Sequence, residues 1–121
     1  PVPDWGFVGL LSPWQDNYSV KLGSAVPIKW YYTDSNGKAD SSMADPKIEI
    51  YQLSSCKSDA VEDSKVVDVV NDPGSSGWKY NGDWQYNWET VGPDVTKGCY
   101  NVYITSQYTG QTNGEFWIRL R

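Results

Sequence analysis

The sequence contains no histidine and only two cysteines, so most of the usual catalytic groups are missing. Without histidine, a Ser-His-Asp triad and imidazole acid–base catalysis are excluded. Two cysteines are too few for a structural zinc site, and there is no histidine to complete one. A carboxylate pair remains the alternative for glycoside chemistry, but Glu89 and Glu115 lie on strand faces predicted to be wet. We therefore expect no enzyme, no cofactor and no metal ion.

Long apolar runs and an excess of positive charge are also absent. No run approaches the roughly 20 residues that a membrane-spanning helix requires. The net charge is −5, with 10 Lys and Arg against 15 Asp and Glu. Because an acidic chain is repelled by phosphate backbones and anionic membranes, we predict no nucleic-acid partner and no membrane insertion. We expect a monomer.

Cys56 and Cys99 are too far apart to form a CxxC redox pair. A disulfide is the favoured interpretation, and two buried free thiols in a cytosolic protein are the alternative. Closing this loop would stabilise the fold by about 4 kcal/mol and would suit an oxidising compartment. The chain opens with PVPDWGF and no signal peptide. We therefore expect a mature segment of a secreted or cell-surface protein.

Helical periodicity is missing, and short alternating runs between turn residues dominate. They predict an all-β, immunoglobulin-like β-sandwich of two antiparallel sheets and about seven or eight strands, as one domain over residues 1–121. Pro27 indicates an edge position or a break in strand pairing. Strands are predicted at 17–22, 25–33, 47–53, 65–70, 76–80, 83–90, 99–107 and the end of the chain.

The aromatic residues are the most informative feature, since seven Trp and nine Tyr exceed what a thin core needs. Strand alternation places one group in the core: Trp30, Trp84, Tyr86, Trp88 and Tyr100. It places Tyr31, Tyr51, Tyr103 and Trp117 on faces predicted to be wet. Trp78, between Gly77 and the turn at Asn81, is predicted at an exposed strand edge.

A flat exposed ring is a good partner for the C–H face of a sugar. We therefore predict a ligand-binding set of five rings: Trp117, Tyr103, Tyr51, Tyr31 and Trp78. The alternative is that these rings pack under loops or against the N-terminal segment.

Two acidic segments have oxygen ligands at spacings that weakly resemble calcium sites. The first is Asp34, Asn36 and Asp40 around Gly37, where a hairpin turn is favoured instead. The second is Asp59, Glu62 and Asp63, where a solvated loop is favoured.

Segments along nearly the whole chain are informative when taken together: Gly6-Phe7, Pro13, Val20-Lys21, Gly23-Ser24, Val26 to Trp30, Asp34 to Gly37, Cys56, Gly77 to Tyr80, Tyr86 to Thr90, Gly98 to Tyr100 and Glu115 to Arg119. In this order and spacing they resemble the PxKF domain, a small module of secreted and surface proteins of bacteria. The match spans nearly the whole chain, and Trp30 stands where the family name implies Phe. The resemblance implies an immunoglobulin-like accessory domain of larger proteins and no catalytic residues.

Two functions from different classes follow. A carbohydrate-binding module that tethers a larger secreted protein to polysaccharide would use exposed rings. A structural spacer or adhesin-type domain of a bacterial surface protein would bury its rings and bind no small ligand.

Overall fold

A computed structural model describes residues 4–38, 41–71 and 77–121 of the chain. The described residues form nine strands and one short 3₁₀ helix, Ser41–Ala44. The strands are β1 (Gly6–Gly9), β2 (Tyr18–Val20), β3 (Ala25–Thr33), β4 (Pro46–Leu53), β5 (Glu62–Val70), β6 (Trp78–Asn81), β7 (Asp83–Glu89), β8 (Gly98–Ser106) and β9 (Thr112–Leu120).

These strands form a β-sandwich, which confirms the predicted fold class. One sheet has four strands in the order β1-β3-β7-β6, and the other has five in the order β2-β9-β8-β4-β5. The predicted alternation is confirmed on β3, where Val26, Ile28 and Trp30 are fully buried between partly exposed neighbours. The same alternation on β4 and β8 gives the five-stranded sheet one dry face and one wet face.

Two details of the strand prediction were wrong or incomplete, and a third held in part. The described residues contain nine strands, whereas about seven or eight were predicted. The strand β1 was not predicted, because its four residues have no alternating pattern. The pairing of β2 with β9 is parallel, since the N-terminal segment leaves β3 and joins the edge of the other sheet beside the C-terminal strand. Pro27 was predicted at an edge position or a break in strand pairing, and the second alternative holds. β3 lies between β1 and β7, but β1 pairs only with the last four residues of β3, so Pro27 is paired on the β7 side alone.

The core contains most of the tryptophan. Trp30, Trp84 and Trp88 are at most 2% exposed, and Trp5 is also buried. Trp78 is 4% exposed, so the prediction of an exposed edge at Trp78 was wrong. Its ring packs edge-on against Trp30 and Trp84, with centroid distances of 6.3 Å in both cases. The short strand β6 is flanked by glycine, but it pairs along its whole length with β7, and the Trp78 ring faces the core.

The disulfide between Cys56 and Cys99 is present, with a Cα–Cα distance of 5.3 Å. Cys99 is buried at the start of β8, while Cys56 lies in the exposed segment between β4 and β5. The bond therefore fastens this segment to the five-stranded sheet. Among the described residues, no helix is long and apolar enough to cross a membrane.

Candidate functional site

The outer face of the five-stranded sheet brings together three of the predicted site residues. Trp117 on β9 is paired with Asn101 on β8, which is paired in turn with Tyr51 on β4. Tyr103 follows two residues after Asn101 on the same face and is paired with Glu49. Strand register therefore places two tyrosines and one tryptophan on one surface.

Tyr51 and Tyr103 form an edge-to-face ring pair, with centroids 5.8 Å apart and planes at 81°. The Tyr51 hydroxyl donates to Glu49 at 3.3 Å. The Lys65 ammonium lies 5.5 Å from the centre of the Tyr51 ring and 2.6 Å from Glu49. Tyr51 is thus held by contacts within the sheet, and this leaves Tyr103 and Trp117 as the rings that line open grooves.

A bulge in β9 sets the position of Tyr103. Val102 is paired with Phe116 and Ile104 with Asn113, so two residues, Gly114 and Glu115, lie opposite Tyr103 alone. A Cβ atom at Gly114 would lie 2.6 Å from Cδ1 of Tyr103. The Tyr103 ring therefore lies directly on the glycine backbone, and only glycine permits this approach.

The same bulge turns the Glu115 carboxylate toward a second carboxylate, that of Glu62. Asn101 Nδ2 donates to Glu115 at 2.9 Å and to Glu62 at 3.2 Å. The Tyr103 hydroxyl donates to Glu62 and, at 3.4 Å, to Glu115. Two negative groups from β5 and β9 therefore share the same two donors on β8.

The environment keeps Tyr103 protonated. Partial burial raises the pKa of the Tyr103 phenol well above its ordinary value, and the hydrogen bond to the Glu62 carboxylate raises it further. Both effects disfavour the phenolate, since it would be poorly solvated and would face two carboxylates. Tyr103 therefore acts as a fixed hydrogen-bond donor at neutral pH.

Two adjoining grooves open on this face, and Trp117 lines both of them. The Tyr103 groove, about 660 Å³, is lined by Asn17, Leu53, Cys56, Lys57, Ser58, Ala60, Val61, Glu62, Asn101, Tyr103, Glu115 and Trp117. The Trp14 groove, about 570 Å³, is lined by Gly9, Leu10, Trp14, Gln15, Asp16, Asn17, Glu115, Phe116 and Trp117. Because they share Asn17, Glu115 and Trp117, the two grooves form one extended concave surface.

Two predicted site residues are not part of this surface. Tyr31 lies on β3, on the outer face of the four-stranded sheet and therefore on the other side of the sandwich. Trp78 is in the core, where its ring is inaccessible to a ligand. Glu62, Asn101 and Trp14 were missing from the predicted ligand set, because only register and tertiary contacts bring them to Trp117.

Neither predicted calcium-like segment gathers a set of ligands. Asp34 Oδ1 accepts backbone N–H groups of Asn36 at 2.8 Å and Lys38 at 2.9 Å, which is the favoured turn, and Asp40 lies outside the described residues. Glu62 is directed to Tyr103 and Asn101 instead. Within residues 4–38, 41–71 and 77–121, no three acidic, cysteine or histidine side chains are grouped for a metal ion.

No known protein-family model matches the chain, and no curated protein is similar enough to count as a match. The resemblance to the PxKF domain therefore stays a prediction. The function is therefore inferred from the groove surface.

Proposed function

We propose that this domain is a non-catalytic carbohydrate-binding module that tethers a larger secreted bacterial protein to polysaccharide. The observation that carries the proposal is Trp117, a partly buried ring that lines two adjoining grooves together with Glu115 and Asn17. A ring in this position can stack on a sugar unit while the neighbouring units extend into both grooves.

The polar groups around the rings suit sugar hydroxyls. The carboxylates of Glu62 and Glu115 are strong acceptors for hydroxyl protons, since charge-assisted hydrogen bonds are shorter and stronger than neutral ones. Asn17 and Gln15 add amide donors and acceptors along the same surface. The combination of a few rings with flanking carboxylates and amides supports a glycan over an apolar ligand.

Catalysis and location are parts of the same proposal. The sequence has no histidine, and both thiols are consumed in the disulfide, so nucleophile–base pairs built on Cys or His cannot form. A disulfide that fastens a surface segment suits an extracytoplasmic, oxidising environment. We therefore place the domain outside the cytoplasm as a targeting element.

The test is isothermal titration calorimetry of the wild-type domain against a broad panel of soluble cell-wall and plant polysaccharides. We expect at least one polysaccharide to bind, and Trp117→Ala to weaken that binding about tenfold or more. Tyr103→Ala should weaken it as well. Circular dichroism and thermal melts of each variant separate loss of binding from loss of fold.

Tyr31→Ala is the matched control, because Tyr31 is also partly buried on an outer sheet face but lies on the other sheet. It should leave the affinity unchanged. Flat titrations across the whole panel would refute the proposal. Release of reducing ends from a bound polysaccharide would refute its non-catalytic part.

A structural spacer or adhesin-type domain is the second candidate, and a specific observation favours it. Five of the seven tryptophans are buried in the core, so most of the aromatic excess serves packing: Trp5, Trp30, Trp78, Trp84 and Trp88. The predicted resemblance to the PxKF domain agrees with this function. In that case Trp117→Ala would change no binding property, and the wild-type domain would bind nothing in the panel.

A further inference from the structure

Glu62 and Glu115, the acidic centre of the Tyr103 groove, form no ion pair among the described residues, although Lys57 also lines the groove. Lys47 and Lys65 pair with Glu49 and Asp68. Both carboxylates accept hydrogen bonds from neutral donors only, the Asn101 amide and the Tyr103 phenol. Two exposed negative charges therefore lie close together and share the same neutral donors, an arrangement that a cation would stabilise.

A second observation indicates that a donor is missing from the same place. Asn101 is only 5% exposed, and its Oδ1 atom has no hydrogen-bond partner among the described residues. Buried polar atoms are nearly always paired, and an unpaired one costs free energy. Asn101 lines the groove beside both carboxylates, and its Nδ2 atom is already used by both of them, so the groove's own donors are occupied.

A protonated amine fits this set of acceptors. An ammonium group carries three N–H donors and one positive charge, which suits two carboxylates that lie close together. Calcium fits less well, since it requires six to eight oxygen ligands and the described residues provide no third acidic side chain. The Tyr103 and Trp117 rings add to the preference, because aromatic faces attract cations.

We propose that Glu62 and Glu115 select a polysaccharide with free, protonated amino groups, an unacetylated amino-sugar polymer, over its N-acetylated counterpart. This inference rests on the proposed carbohydrate-binding function and assigns the ligand class of that site. An N-acetyl group would remove the positive charge and two of the three donors, while leaving the sugar ring able to stack on Trp117.

The experiment compares two oligosaccharides of equal length, glucosamine oligomers and N-acetylglucosamine oligomers. Affinities are measured by calorimetry at about pH 5.5, where the sugar amines are protonated. We expect the glucosamine oligomer to bind about 10- to 100-fold more tightly, since hydrogen bonds to charged groups are the strong ones. Raising the salt concentration should reduce this preference, because it screens charge.

The double variant Glu62→Gln with Glu115→Gln should remove the preference, so that the two oligomers bind with similar affinity. The matched control is Glu89→Gln with Asp94→Asn, which removes the same charge from two other exposed positions. The control should retain the preference. If the control loses it equally, the effect is one of net charge, and the inference is refuted.

The outcomes also separate this inference from the proposed function. Equal or tighter binding of the acetylated oligomer, with loss on Trp117→Ala, would refute the amine preference and leave the carbohydrate-binding proposal intact. A preference that survives in the double variant would refute the assignment to Glu62 and Glu115. Absence of binding by either oligomer and by the whole polysaccharide panel would refute both proposals.

Discussion

The two outer faces of this sandwich follow the same strand alternation and yet differ in chemistry. The five-stranded face carries Trp117 and Tyr103 beside two carboxylates, in grooves of about 570 and 660 Å³. The four-stranded face carries a smaller groove of about 290 Å³, with two lysines, Lys29 and Lys79, among its lining residues. On that face the amide of Gln85 donates to the amide oxygen of Asn87 at 2.7 Å, whereas Asn101 keeps an unpaired oxygen.

This comparison shows that alternation alone does not make a site. Strand alternation directs the side chains of both Tyr31 and Tyr103 away from the core, and both were predicted to bind a ligand. The difference lies in register and in the bulge of β9, which direct Glu62 and Glu115 to the donors on β8. A site forms where irregular pairing brings polar groups from several strands to one ring.

Removing the disulfide is expected to have the largest effect, and to affect one face only. Cys56→Ala with Cys99→Ala should lower the free energy of unfolding by about 4 kcal/mol, since the bond closes a loop with a sequence separation of 43. Hydrogen exchange should show lost protection in residues 54–61, which wall the Tyr103 groove, and unchanged protection on β3. Urea denaturation measures the first effect.

Reduced wild-type protein is the control for the double variant, since it lacks the bond but keeps both sulfur atoms. If the bond is what matters, the reduced protein and the variant should be destabilised equally. Equal loss of protection on both outer faces in hydrogen exchange would contradict this prediction, because the disulfide would then stabilise the whole sandwich and not only the segment between β4 and β5.

Alternation predicted which residues face inward with good accuracy. The bounds of β3 were predicted correctly, and those of β4, β7 and β8 within one residue. Local sequence contains this information, because each strand repeats every two residues. The prediction failed where the pattern was interrupted, as at β1, whose four residues begin and end with glycine.

Pairing between distant strands was not predictable in the same way. Tyr103 and Glu62 are 41 positions apart, and nothing in either segment specifies the other. Asn113 and Gly114 lie inside β9, where Gly114 and Glu115 form the bulge opposite Tyr103. Alternation gives the face of a ring, whereas its neighbours depend on register, bulges and the packing of the whole sheet.

A substitution at Gly114 tests the role of the bulge and has the next largest expected effect. Gly114→Ala places a methyl group 2.6 Å from Tyr103 and 2.9 Å from the carbonyl oxygen of Val102. We expect a loss of about 1–3 kcal/mol in stability, since overpacking displaces the ring. The affinity for the bound polysaccharide should fall as Tyr103 leaves the groove.

Two controls isolate the contact with the ring. Gly82→Ala meets no atom within 4 Å, so it measures the strain of replacing a turn glycine without a clash. In a Tyr103→Ala background, Gly114→Ala should cost less than it does in the wild type, which a double-mutant cycle measures. Additive effects in that cycle would show that Gly114 does not position Tyr103.

The smallest effect is expected in the dependence of stability on alkaline pH. It probes the two carboxylates beside Tyr103 on the five-stranded face. Burial and Glu62 raise the pKa of Tyr103 in the folded protein above its ordinary value near 10. The folded state therefore retains a proton that the unfolded state loses. This stabilisation is complete below about pH 10 and is lost as the pH rises further.

We expect the free energy of unfolding to fall more between about pH 9 and pH 11 in the wild type than in Tyr103→Phe, by less than about 1 kcal/mol because solvent screens the pair. The other tyrosines with raised pKa, Tyr32 and Tyr86, are present in both proteins and cancel in the difference. Glu62→Gln should give an intermediate slope, since it removes one of the two charges that oppose the phenolate. Parallel curves for the wild type and Tyr103→Phe would mean that the phenol does not experience the carboxylates. The electrostatic contrast between the two faces would then be lost, and with it the reason to expect a cationic ligand on one face.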